Sequence, residues 1–259
     1  FFKQKTAYEI RNTMAALPTQ PVFNADGSYA GPVGRPSWYG DIANPIGKAT
    51  LNSNTTKGYN VLGNVYVEAK IMDGLTFRST GGAQAMFWDN RNWAPKYDWQ
   101  PIPQPNSYLS QQYNKSLTWL WDNYFTFERT IADHHRLTVL AGTSAQNNRY
   151  DYINGAIQDF ASDNASQLNN GTAQPTVGGS GSEWALLSLM ARANYSFRDR
   201  YLITATLRRD GSSRFGPDNR WGTFPSASVA WRLSEEDFLK NTTSPISDLK
   251  LRVGYGITG

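Results

Sequence analysis

The 259-residue chain contains no cysteine and only two histidines, His134 and His135, which are adjacent. Disulfides and thiolate metal sites are therefore excluded. Cysteine- or histidine-based nucleophilic catalysis has little material to work with. Neighbouring residues on a strand point to opposite faces, so the two histidines would chelate poorly and read as part of a solvated turn beside Asp133. Long apolar runs are also missing: none approaches the roughly 20 residues of a membrane-spanning helix. Charged residues make up 18% with a formal net charge of +4. The basic residues are scattered rather than clustered, which argues against a nucleic-acid partner. The 21 acidic residues show no spacing that singles out a glycosidase pair. Neither catalysis nor a cofactor or metal is expected.

What is abundant is aromatic. Phe, Trp and Tyr form 14% of the chain, with nine Trp and fourteen Tyr. Such an excess suits the interfacial girdles of a membrane barrel and also a secreted all-β carbohydrate-binding or adhesive protein, and composition alone leaves both open. The pattern along the chain is more informative. From Asn60, the residues Val61, Gly63, Val65, Val67, Ala69 and Ile71 alternate with Asn64, Tyr66, Glu68 and Lys70. Period two means strand, and Asp73-Gly74 is a strong two-residue hairpin signal. Further strands are predicted from Leu75 to about Trp88, Lys115 to about Ile131, and His135 to about Arg149. Four more follow: Trp184–Phe197, the runs beginning at Tyr201 and at Phe224, and Asp248–Gly259. Ile157–Leu168 is expected to hold a short helix. Ser234-Glu-Glu-Asp237 reads as a capping box opening one helical turn.

Eight strands result, and their connections alternate between short (Asp73-Gly74, Ala132–His134, Arg198–Arg200) and long (Asp89–Asn114, Tyr150–Glu183, Gly211–Gly222). Transmembrane barrels sort their connections in this way, with short periplasmic turns and long outer loops. The ends at Asp73, Asp133, Asp199 and Ser234 are then expected to be periplasmic. Tyr195, Tyr201, Trp184 and Trp231 read as girdle residues. Trp88, Trp93, Tyr97 and Trp99, in or beside a long outer loop, are candidates for stacking on a substrate. Asp210-Gly-Ser-Ser-Arg-Phe-Gly216 lacks the Lys-Ser/Thr of a phosphate loop and the repeated carboxylates of a calcium loop. It reads as a wall-and-loop motif in which Asp210 pairs with Arg208, Arg209 or Arg214.

Three strings carry a resemblance: Leu207-Arg-Arg-Asp-Gly-Ser-Ser-Arg-Phe-Gly216, Phe224-Pro-Ser-Ala-Ser-Val-Ala-Trp-Arg-Leu-Ser-Glu-Glu-Asp-Phe-Leu239 and Leu249-Lys-Leu-Arg-Val-Gly-Tyr-Gly-Ile-Thr-Gly259. In order and spacing they resemble consecutive barrel segments of the SusC/RagA-type TonB-dependent outer-membrane transporters. The resemblance implies an all-β fold, an antiparallel transmembrane β-barrel arc of about eight strands from a larger plugged barrel. It also implies the outer membrane of a Gram-negative cell and active import of oligosaccharides or peptides. A SusD-like surface lipoprotein would lid the barrel, TonB would supply energy through a region not in this sequence, and outer-membrane lipid would surround the wall. The expected organisation is residues 1–12 non-native, since Lys3–Ile10 reads like a translated sequencing adapter; 13–59 loop or irregular; and 60–259 partial barrel. A lipid-facing charge, Ile203→Arg or Val229→Arg, is expected to cost about 2–4 kcal/mol at mid-bilayer.

Overall fold

A computed structural model describes residues 21–31, 44–98, 103–240 and 248–258. Residues 1–12, Trp99 and the segment 241–247 lie outside them. Eight strands form one sheet in sequence order: β1 Ser53–Met72, β2 Leu75–Ala94, β3 Tyr108–Ile131, β4 His135–Phe160, β5 Gly171–Phe197, β6 Tyr201–Ser212, β7 Trp221–Arg232 and β8 Lys250–Gly256. Each of the last three pairings is antiparallel. The up-and-down order is what short connections permit, because a hairpin joins only antiparallel neighbours.

The predicted short turns are present, and their backbones differ in kind. At Asp73-Gly74 only Gly74 carries a positive φ, +80°. Its carbonyl accepts from the Glu128 amide at 2.7 Å. In the other two turns, Ala132 and Asp133 (φ 49° and 57°) and Arg198 and Asp199 (φ 51° and 54°) are paired left-handed residues. Left-handed backbone costs a non-glycine residue about 1–2 kcal/mol, and two in succession match the twist of the strands they join.

The strands run further than their alternation predicts at the end away from these turns. β1 starts at Ser53 rather than Asn60, and β2 continues past Trp88 to Ala94. β3 starts at Tyr108 rather than Lys115, β4 reaches Phe160 rather than Arg149, and β5 starts at Gly171 rather than Trp184. These extensions are rich in Asn, Asp, Gly, Ser and Thr, several of them poor strand formers. Their apolar residues, among them Trp93, Leu109 and Phe160, do not alternate along the strand, so no period of two shows. The helix expected over Ile157–Leu168 is absent. Strand β4 ends at Phe160, and two single 3-10 turns, Asp163–Ala165 and Leu168–Asn170, follow.

The chain divides into two compact units: the described residues up to Tyr59 with 86–115 and 151–181, and 60–85 with 116–150 and 182–258. In the first, Trp93, Leu109 and Phe160 are buried together, with Ile157 and Leu168 packed against them. Trp93 meets Phe160 edge-on, ring centroids 4.9 Å apart at 84°. The buried Ser107 hydroxyl accepts from the Phe160 amide at 2.9 Å. Where loop was expected there is also a helix, α1 Pro45–Leu51. Asn44, only 2% exposed, caps it by accepting from the amides of Ile46 and Gly47. The same side chain donates to the carbonyls of Val22 and Ala30, so the cap also fastens the segment 22–30. The second unit holds the regular ladders. In it Leu189 opposes Arg209, Ala193 opposes Ala205 and Ala205 opposes Ala227, and Val229 opposes Val253.

Candidate functional site

Alternation gives the second unit two unlike faces. Ile203 opposes Val229, which opposes Val253, and all three remain exposed, at 47%, 54% and 63%. Leu187, Leu189, Tyr201, Leu207, Trp231, Leu251 and Tyr255 are exposed on the same rows. At the end near the short turns the row becomes aromatic. Tyr201 and Trp231 stack 6.4 Å apart, and Phe197 stacks on Tyr201 at 6.2 Å. His135 lies 4.8 Å from Phe197 and shares a 2.7 Å hydrogen bond with the Tyr195 hydroxyl through Nδ1. His135 is thus half-buried in the girdle, correcting its assignment to a solvated turn, while His134 is exposed. A continuous apolar row edged by aromatics is the surface that bilayer hydrocarbon requires of a barrel wall.

The opposite face is a hydrogen-bonded array. The Asn148 amide donates to the hydroxyls of Ser116 and Thr118 at 3.0 and 2.8 Å. Gln84 donates to Asn60, and the Thr204 hydroxyl donates to Asn194. Arg78 lies over the Tyr66 ring at 4.1 Å and 3.8 Å from Glu68. Amides, hydroxyls and an aromatic face are the groups that bind sugar hydroxyls or peptide backbone. Among the described residues no group of three or more His, Cys, Asp and Glu is placed to hold a metal.

Of the three arginines considered as partners of Asp210, only Arg208 pairs with it. Its Nε donates to both carboxylate oxygens at 2.8 Å, and its Nη2 donates to Ser188 at 3.1 Å. Arg209 projects to the apolar face, 5.1 Å from the centre of the Trp221 ring. Arg214 lies 5.0 Å over Trp184. Residues 208 and 210 share a face and 209 cannot, because side chains alternate. By the same parity Trp184 belongs to the polar row of Ser188, which corrects its place in the apolar girdle.

The candidate loop aromatics are dispersed. Trp88 lies on β2 with the parity of Gln84, on the polar face, whereas the groove of about 460 Å³ beside it, lined by Tyr59, Phe87, Tyr113, Lys115 and Asp151, has the parity of the apolar row. Trp93 is 7% exposed in the core of its unit, which leaves it little surface for a ligand. Tyr97 forms an isolated bridge with Gln104.

A cluster that alternation could not reveal ties the β5–β6 turn to the segment after β7. Glu236 accepts from the Tyr201 hydroxyl at 2.7 Å, the Trp231 indole at 2.9 Å and Arg200 at 3.0 Å. These bonds, led by that of Tyr201, hold its carboxyl below the usual glutamate range. Arg200 also binds Asp237 at 2.9 Å, which raises its already high pKa. The expected capping box does not form. The Ser234 hydroxyl donates to Asp248 at 3.1 Å instead, and Asp237 is taken by Arg200 at the start of the single turn α2, Asp237–Lys240.

Comparison with known proteins agrees with this architecture. The family model described as TonB dependent receptor-like, beta-barrel matches residues 7–258. TonB-dependent receptor P26 of Formosa agariphila is 33% identical over 96% of the chain and 25% of its own length. TonB-dependent receptor SusC of Bacteroides thetaiotaomicron is 60% identical over 29% of the chain and 7% of its own. The RagAB peptide transporter structure superposes with a TM-score of 0.77 at 22% identity, over 91% of this chain and 26% of that one. The chain spans about a quarter of the length of the first of these relatives. Its two-faced antiparallel sheet and the match along nearly its whole length show that it belongs to the TonB-dependent receptor-like β-barrel family and resembles the SusC/RagA type.

Proposed function

We propose that the protein containing this chain imports oligosaccharides across the outer membrane of a Gram-negative bacterium. TonB energises it through a region outside this chain, and a SusD-like surface lipoprotein closes the outer mouth. The chain contributes wall and outer loops, with the short turns in the periplasm. The supporting observation is the sheet with two unlike faces: an exposed apolar row on one side and amide and hydroxyl groups on the other. A secreted sugar-binding protein would have no use for an uncovered apolar row spanning several strands. The 60% identity to SusC supports membership of this transporter type, and glycan cargo is our reading of the polar face. Peptide is the second reading, favoured by the RagAB fold match. Trp88, which alternation places on the polar face with Gln84, is the candidate aromatic best placed to meet cargo, and Trp99 is proposed on sequence alone. Arg208 and Asp210 are assigned to stiffening the wall.

The test is uptake by the native host and by a strain lacking the full gene. Fluorescent oligosaccharides and peptides are supplied separately, with and without a protonophore. Protonophore-sensitive glycan uptake that disappears with the gene is expected. Loss of peptide uptake alone would move the cargo to peptide, and loss of neither would overturn the transport reading. Orientation is checked by single-cysteine labelling of the full protein in a cysteine-free background. Asp218→Cys should react with an impermeant maleimide on intact cells and Asp133→Cys only after lysis, and the reverse would invert the wall.

A further inference from the structure

The apolar face carries a second groove of about 460 Å³ within the second unit. Phe125, Ala141, Leu189, Ala191 and Leu207 line it, and Arg209 supplies charge. Its depth comes from the small side chains of Ala141 and Ala191. Asn123 and Thr143 add neutral polar groups. Among the described residues no carboxylate lies within ion-pair distance of Arg209.

Arg209 is held in place rather than loose. Gly211 opposes Trp221 across β6 and β7. A Cβ at Gly211 would come within 2.9 Å of three atoms of the Trp221 ring, so the ring lies flat on the glycine. The Arg209 guanidinium then sits 5.1 Å from the centre of the same ring, within cation–π range. Arg209 is eight residues along β6 from Tyr201. At about 3.3 Å per residue and about 40° of tilt, that separation is about 20 Å along the membrane normal. The apolar band of such barrels is about 25 Å tall. Arg209 and Trp221 therefore mark the headgroup level opposite the Tyr201–Trp231 girdle.

The geometry points to a binding site for an anionic, phosphate-bearing acyl lipid of the surrounding bilayer. One acyl chain fills the groove between Phe125 and Leu207, and the phosphate is held by Arg209 on its Trp221 platform. Charge complementarity selects this occupant: a positive, carboxylate-free end on an otherwise apolar groove that faces hydrocarbon. A neutral lipid would fill the groove without engaging the guanidinium. The inference rests on the membrane-wall reading above. In the proposed orientation the leaflet concerned is the outer one.

The test uses the detergent-purified full receptor, titrated with phosphatidylglycerol or phosphatidylcholine and read by native mass spectrometry. Parallel refolding into vesicles of each lipid is followed by heat-modifiable gel mobility. The unmodified protein should retain phosphatidylglycerol in preference to phosphatidylcholine. Arg209→Gln should weaken phosphatidylglycerol binding about fivefold, the effect of one basic residue at an anionic surface, and leave phosphatidylcholine unchanged. Arg209→Lys should keep most of the preference, and Ala191→Leu, which fills the groove, should weaken both lipids. An unchanged preference in Arg209→Gln, or no preference in the unmodified receptor, overturns the site. Failure of the unmodified receptor to insert into either vesicle would instead overturn the membrane reading on which the site rests.

Discussion

Ala227 and Ser226 are adjacent on β7, yet replacing each with arginine should have very different consequences. Ala227 opposes Ala205, and Ala205 lies four residues along β6 from both Tyr201 and Arg209, so this pair sits at the middle of the apolar belt. Arginine there places a charge in hydrocarbon and should cost about 2–4 kcal/mol. Val229 opposes Ile203, only two residues from the Tyr201 girdle. Its replacement should cost less, about 1–2 kcal/mol, since the penalty falls toward the interface. That lowers the expectation drawn from the sequence for Ile203 and Val229. Ser226 is exposed on the opposite, polar face, and arginine there should change stability by less than about 1 kcal/mol. The assay is urea titration of the full receptor in vesicles, followed by tryptophan fluorescence. Equal losses for Ala227→Arg and Ser226→Arg, or a larger loss for Ser226→Arg, would refute the assignment of faces.

Gly142→Ala should destabilise by about 1–3 kcal/mol, because its Cβ would overlap the Asn123 carbonyl and the Tyr124 ring across the β3–β4 ladder. Gly81→Ala, on β2 between two neighbouring strands and with nothing within 4 Å of the added Cβ, should be neutral or stabilising by up to about 1 kcal/mol; the same urea titration compares them, and equal midpoints would refute the packing described. Glu236 is held below the usual glutamate range, so its contribution is fully present above the unfolded-state pKa and is lost as the pH falls through the lower folded value. Glu236→Gln should flatten the fall in stability between pH 5 and the acid range in melts of the full receptor, and an unchanged pH profile would remove Glu236 from the clamp.

Much of the wall was legible in the sequence because it faces two solvents at once. Hydrocarbon on one side and polar groups on the other force a period of two, as at Val61–Ile71 and Tyr201–Leu207. The positions of the short turns follow from where that period breaks. Beyond the belt, the rule that revealed the strands no longer applies. Asn90, Asn154 and Gly171 continue the strands without an alternating apolar pattern to mark them, so the strands appeared shorter than they are. The His135 girdle contact and the Glu236 cluster join residues far apart in the chain, and no local pattern could bring them together.

For the site, the sequence by itself determined which residues share a face: Arg208 with Asp210, and Arg209 with Leu207, follow from alternation alone. Only the tertiary structure decided what each one touches. Strand register set Trp221 on Gly211 and thereby under Arg209. The meeting of β2, β3 and β4 residues buried Trp93 among Leu109 and Phe160, whereas its sequence neighbourhood read as open loop. Period is a local property of one strand, while register and burial depend on which strand lies beside it.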